Sequence, residues 1–148
     1  MPGGSAFGFD PDPDNPGWHI WGPREDAHFN ALYDPVRVQP EGPGRSRVRC
    51  VPQQLLTSVN GNVHGGALLG FIDISLFAGV HAMGHENAGR GLTLDLSTQF
   101  IGPARWNVAL DAVVELSRET GRLMFLRGMV EQEGAPVASF LGTIRKVS

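Results

Sequence analysis

HGGALLGFIDISLFAGV, residues 64–80, is the most apolar run of the chain, and it carries a single acid, Asp73. Taking histidine as neutral, nothing else within ten residues on either side is charged. The run predicts an apolar helix that starts near His64 and is ended by Gly79, Gly84 and the AGRG of residues 88–91. A helix apolar on nearly all sides has to be enclosed by other elements. An unpaired carboxylate on such a helix is costly, so Asp73 needs a partner or a task.

What encloses the helix is written downstream. In LTLDLSTQFI (92–101), Leu92, Leu94, Leu96 and Phe100 alternate with Thr93, Asp95, Ser97 and Gln99, the period of a half-buried strand. NVALDAVVELS (107–117) repeats the pattern with Val108, Leu110, Ala112, Val114 and Leu116 on one face. RLMFLRGMVEQ (122–132) and VASFLGTIRKV (137–147) complete the set through the turn signals Glu119-Thr120-Gly121 and Glu133-Gly134. Upstream, VRV (36–38) and RSRVRCV (45–51) predict one or two further strands. The fold class is therefore α+β, an antiparallel sheet wrapped around one long central helix.

The domain expected from this pattern covers residues 35–148. Before it, residues 1–34 are rich in proline and glycine, and their Pro-Asp steps predict an extended arm that resists helix and strand alike. Trp18, Ile20 and Trp21 anchor the end of the arm on the body, and EDAHFNALY (25–33) predicts a short helix stopped by Pro35.

Composition narrows the function classes. The chain is 41% hydrophobic and 18% charged, ordinary for a globular domain, and its net charge of −3 offers no basic field for nucleic acid. A lone cysteine, Cys50, excludes an internal disulfide framework, fits a reducing compartment and reads as a buried thiol. The first residues lack the basic and apolar regions of a secretory signal, and the apolar run at 67–83 is too short to span a bilayer; a cytoplasmic protein without membrane association is expected. His81, His85 and Glu86 have a spacing that chelates metal on a helix, but Gly84 interrupts it and no third ligand stands nearby, so no metal is expected.

The start of the helix is chemically unusual. Gly65 and Gly66 place bare backbone where the first N–H groups lack intrahelical partners. Such an end stabilises a carbonyl oxygen becoming an oxyanion, and Asp73 supplies a carboxylate to attack or to activate water. Yet eight residues of helix separate Gly65 from Asp73 by roughly 12 Å, whereas reacting atoms must approach within about 3–3.5 Å. If both serve one reaction, Asp73 must come from a second copy, as a twofold pair of antiparallel central helices provides.

Gly61-Asn62-Val63-His64-Gly65-Gly66, followed by Ile72-Asp73 and by GLTLDLSTQFIGPAR (91–105), resembles the hotdog-fold acyl-CoA thioesterases, most closely the PaaI-type branch of the phenylacetate pathway. The resemblance covers roughly residues 45–146. It implies a hotdog fold, hydrolysis of an acyl-CoA to a carboxylic acid and free coenzyme A, and a homo-oligomer, either a dimer or a dimer of dimers. No cofactor is implied, coenzyme A entering as part of the substrate. By resemblance Asp73 is the nucleophile or general base, the Gly65 N–H polarises the thioester carbonyl, Thr93 assists the acid, and His64 matches the family's histidine, which an ordinary loop-to-helix hydrogen bond also explains. Six residues before His64, where many relatives place an amide, this chain has Ser58, with Asn60 and Asn62 able to take over. Gly66 lines the same end, and Arg90 and Arg105 are candidates for the coenzyme A phosphates. The alternative is a hotdog protein that binds acyl-CoA or an aromatic ligand without catalysis.

Overall fold

The computed structural model describes residues 6–147. The central element is helix α1, Gly65–Ala82, and around it lies one antiparallel sheet. Its strands are β1 (Phe7–Pro11), β2 (His19–Pro23), β3 (Val36–Pro40), β4 (Arg45–Cys50), β5 (Leu92–Phe100), β6 (Leu110–Glu119), β7 (Leu123–Gln132) and β8 (Ala135–Arg145). They lie side by side in the order β1-β2-β3-β4-β6-β7-β8-β5. This is the hotdog arrangement that the sequence predicts.

The inward face of the sheet is set by alternation. Val48, Ala112, Val114, Leu126, Phe140 and Ile144 are buried against Phe71, Ile72, Leu76 and Val80 of α1. Burying each large side chain contributes about 1.5–3 kcal/mol. Close approach depends on Gly79. A Cβ there would stand 3.0 Å from Val114, and the Gly79 carbonyl accepts the Ser46 hydroxyl at 2.8 Å. Gly79 thus lies inside the helix as its contact with β4 and β6, and does not end it as its residue type suggests. Termination falls to Gly84, whose φ of +109° suits glycine. By length and composition α1 could cross a membrane, but 61% of it is buried within the protein, as befits a core helix.

The N-terminal segment departs from expectation. Its first five residues lie outside the described residues, but β1 and β2 form a hairpin that joins the sheet through β3. The Pro-Asp steps are confined to the connection, where Asp12 organises the backbone. Its carboxylate accepts from the Asp14 N–H, the Asn15 amide and Arg37 of β3, the last at 2.5 Å. Those donors hold the Asp12 carboxyl down at about 2. Four strands therefore precede α1, where composition suggested one or two. The short helix foreseen over 25–33 is a 3-10 turn, Phe29–Tyr33, whose buried tyrosine donates to the Ala67 carbonyl at 2.8 Å.

Strand β5 also differs. It pairs on one side only, with β8, and Leu92, Leu94 and Phe100 are each more than half exposed. The apolar alternation is present, but the described chain does not cover it.

Candidate functional site

At the start of α1, the loop 57–63 closes on itself: Ser58 N–H donates to the Asn62 carbonyl at 2.8 Å, and the Ser58 hydroxyl accepts the Asn60 N–H at 3.3 Å. His64 follows in extended conformation and caps the helix, its Nδ1 accepting the Gly66 N–H at 2.8 Å. The histidine is thus occupied in a loop-to-helix bond, and Gly66 has spent its amide on it. Gly65, at the first helical position, has no intrahelical acceptor for its N–H. That amide, like the Ala67 N–H two residues on, is a donor left at the helix start, and it is the nearer of the two to the open end. The Phe100 ring flanks it, 3.6 Å from where a Gly65 Cβ would lie.

Arg105 belongs to this same end, since its backbone bridges to Asn62. Its side chain is engaged by Glu133 and its N–H donates to Gln132. Ser58, Asn60, His64, Gly65, Gly66 and Arg105 therefore form one group around the helix start.

Asp73 lies two turns further on, and is half-buried rather than deep in the core. The helix turns it toward the beginning of β5, where the Thr93 hydroxyl donates to its Oδ1 at 2.5 Å. A hydroxyl bond of this kind orients the carboxylate. The acid opens into a cleft of about 640 Å³ shared with Arg90. Among the described residues Arg90 makes no ion pair, so its guanidinium is available at this end. The floor comes from Ile74 next to Asp73, from Phe77 one turn along α1, and, from an element the sequence did not connect with Asp73, from Phe7 and Trp21 of the N-terminal hairpin. Trp21 was legible as an anchor, but no local signal tied it to the acid.

The two groups lie apart on one chain. The carboxylate with Thr93 and Arg90 forms one, and the free Gly65 amide forms the other, roughly 12 Å away along an unbroken helix. Gly65, Leu69 and Asp73 recur every four residues, so they follow one stripe of α1. Leu69, midway, is 37% exposed.

The strand arginines take no part. Arg47 is held by Glu41, Asp111 and Glu131, Arg49 by Asp111, and Arg45 by Glu41 and Glu115, a network on the outer face of the sheet. Cys50 is buried, and burial pushes its thiol well above the usual range, so it is no nucleophile. No cluster able to hold a metal ion occurs among the described residues.

Solved structures resemble this chain over most of its length. A single-residue mutant of the phenylacetic acid degradation protein PaaI from Thermus thermophilus is 23% identical, with a TM-score of 0.63 over 80% of this chain and 96% of its own. Zebra fish thioesterase superfamily member 2 superposes with a TM-score of 0.69 at 16% identity, covering 80% of this chain and 86% of its own. A hypothetical thioesterase of Streptococcus pneumoniae, solved with coenzyme A, gives 0.65 at 18% identity over 76% and 88%. No curated protein matches by sequence. The thioesterase superfamily model matches residues 60–139, which contain the helix start, Asp73 and Thr93. Matched over more than half its length and built on the hotdog fold, the chain belongs to the thioesterase superfamily.

Proposed function

We propose that the protein is an acyl-CoA thioesterase whose active site forms between two copies of the chain. The observation that carries this is the separation of a Thr93-bound carboxylate from a free helix-start amide on one helix. A twofold axis level with Leu69 runs two α1 helices antiparallel and sets Asp73 of one copy beside Gly65 of the other, twice. The partly exposed Leu69 supports that placement. So does β5, an apolar edge of the kind that proteins pair or cover.

In such a site the thioester carbonyl oxygen accepts the Gly65 N–H, and the carbonyl carbon faces Asp73. The carboxylate attacks that carbon or draws a proton from a water that does so. Negative charge collects on the oxygen against the amide and the positive end of the helix dipole. The C–S bond then breaks and the coenzyme A thiolate leaves. Where water attacked, the thiolate takes up the proton drawn by Asp73. Where Asp73 attacked, a water cleaves the resulting mixed anhydride, freeing the acid and the carboxylate and supplying the thiolate's proton. Thr93 holds the carboxylate in position, and Arg90 is placed to meet the phosphates of coenzyme A.

Asp73→Asn preserves size and the Thr93 contact while removing the charge. Turnover of acyl-CoA should fall by about 10²–10⁴-fold with an unchanged melting temperature. Hydrolysis near the wild-type rate would refute the assignment.

Ser58 favours a second reading. Its hydroxyl is tied to Asn60 and stands where the resemblance calls for an amide to orient the thioester. A protein that holds acyl-CoA without cleaving it would bind the substrate by calorimetry yet release no thiol from a broad panel.

A further inference from the structure

The Asp73 cleft is walled in part by residues outside the segment matched to the family, 60–139. Phe7 is the most telling of these. Its ring stacks on Trp21 with centroids 5.0 Å apart, and its other edge abuts the backbone of Gly89. A Cβ on Gly89 would stand 2.6–2.8 Å from three atoms of the ring, too close for the ring to stay where it is. Phe7 is therefore wedged between Trp21 and Gly89, beside the candidate catalytic acid.

The chemistry of this wall is one-sided. Trp21, Ile74 and Phe77 are buried, while Arg24, Glu25, His28 and Arg90 around them are exposed. The one polar atom of the Trp21 ring is already engaged, donating to His81 Nδ1 at 2.9 Å. Asn30, half-buried on the segment after Arg24, is the neutral amide on the wall. The buried part of the lining, Trp21, Ile74 and Phe77, thus accepts hydrocarbon, and polar partners come only from its exposed or half-buried residues, Asn30 and Arg90 among them.

We infer that Phe7 is a specificity-determining residue: wedged between Trp21 and Gly89, it sets the width of a hydrocarbon-lined cleft beside Asp73 that takes the apolar acyl group of the thioester. This rests on the thioesterase reading and specifies its substrate class, an unsubstituted hydrocarbon acyl group in preference to a hydroxylated one. An apolar pocket rejects an added hydroxyl only moderately, by up to about 100-fold.

Two measurements separate the specificity claim from the catalytic one. The first is kcat/KM for straight-chain acyl-CoAs from acetyl to dodecanoyl, and for benzoyl- against hydroxybenzoyl-CoA. The second is calorimetric binding of the same compounds to Asp73→Asn, which reads cleft selectivity without hydrolysis. Phe7→Ala should shift both orders toward bulkier acyl groups by about tenfold. Gly89→Ala should drive the ring aside and change both orders in its own right. In the double variant the effect of Gly89→Ala should vanish, because the ring it displaces is gone. Melting curves check that each variant is folded.

Benzoyl should be preferred to hydroxybenzoyl in both measurements. An order unmoved by Phe7→Ala, an effect of Gly89→Ala that persists without the ring, or a preference for the hydroxylated acyl group would each overturn the inference. Absence of wild-type hydrolysis with the binding order still governed by Phe7 would defeat the thioesterase reading and leave the cleft assignment standing.

Discussion

The role proposed for Asp73 rests on where the chain leaves it. It lies on an otherwise apolar helix, yet it is half-buried, open to a cleft and fixed by one hydroxyl. Thr93→Val removes that hydroxyl at nearly constant volume. Steady-state kinetics should register a drop in kcat of about tenfold, with KM little changed, because the acid remains but loses its orientation. A KM effect without a kcat effect would place Thr93 in substrate binding instead. His81 is a second residue whose surroundings fix its behaviour. It accepts the Trp21 N–H, and its ring stacks on Phe9 at 4.5 Å, which in turn stacks on His19. Burial lowers its pKa from the ordinary 6.5, opposed by Glu86 and reinforced by His19. Below 6.5 the unfolded chain binds this proton more readily than the folded one. The stability His81 contributes is therefore complete above that pH and is lost as pH falls through the depressed folded value. Denaturant titrations across this range should give a lower midpoint at acid pH, with a shallower decline in His81→Gln, which keeps an acceptor for Trp21 but does not titrate there. An equal decline in both proteins would show that another group is responsible.

Among the elements, α1 and the four strands after it are legible because each has a simple period and the turns between them carry their own residues. Glu133 and Gly134, with φ of 50° and 81°, form the tight β7–β8 connection that the dipeptide foretells. The N-terminal hairpin was not legible. Proline-rich composition argues against strand, and the compensation lies in the long-range contacts of Asp12 with Arg37 and of Trp21 with His81, to which a local pattern is blind. Trp21, 2% exposed, could be recognised as an anchor but not as part of the Asp73 cleft. The candidate site divides along the same line. Asp73, Thr93 and the glycines stand out by type and spacing, whereas the occupation of Gly66 by His64 depends on a side-chain rotamer. Gly79 illustrates the opposite error, a residue type that suggests an end where the structure needs close packing.

For the whole molecule the account turns on pairing. The stripe of Gly65, Leu69 and Asp73 is the part of α1 on which the proposed site depends, and Leu69→Arg places a charge where the two helices would cross. Sedimentation should then show a smaller species, and thioesterase activity should fall with it, while a folded protomer persists because Leu69 is not in the core. Activity retained by a monomeric Leu69→Arg protein would contradict a shared site.

Subunit mixing tests that sharing most directly. Gly65→Pro deletes only the candidate amide, since proline suits the first helical position, His64 before it is already extended, and a Cβ there meets Phe100 at an ordinary 3.6 Å. Gly65→Pro and Asp73→Asn should each be nearly inactive alone. Co-refolded in equal amounts, half of the pairs combine one of each and carry one intact site of two, so activity should recover to about one quarter of wild type. A mixture no more active than its separate components would contradict an active site built from both chains.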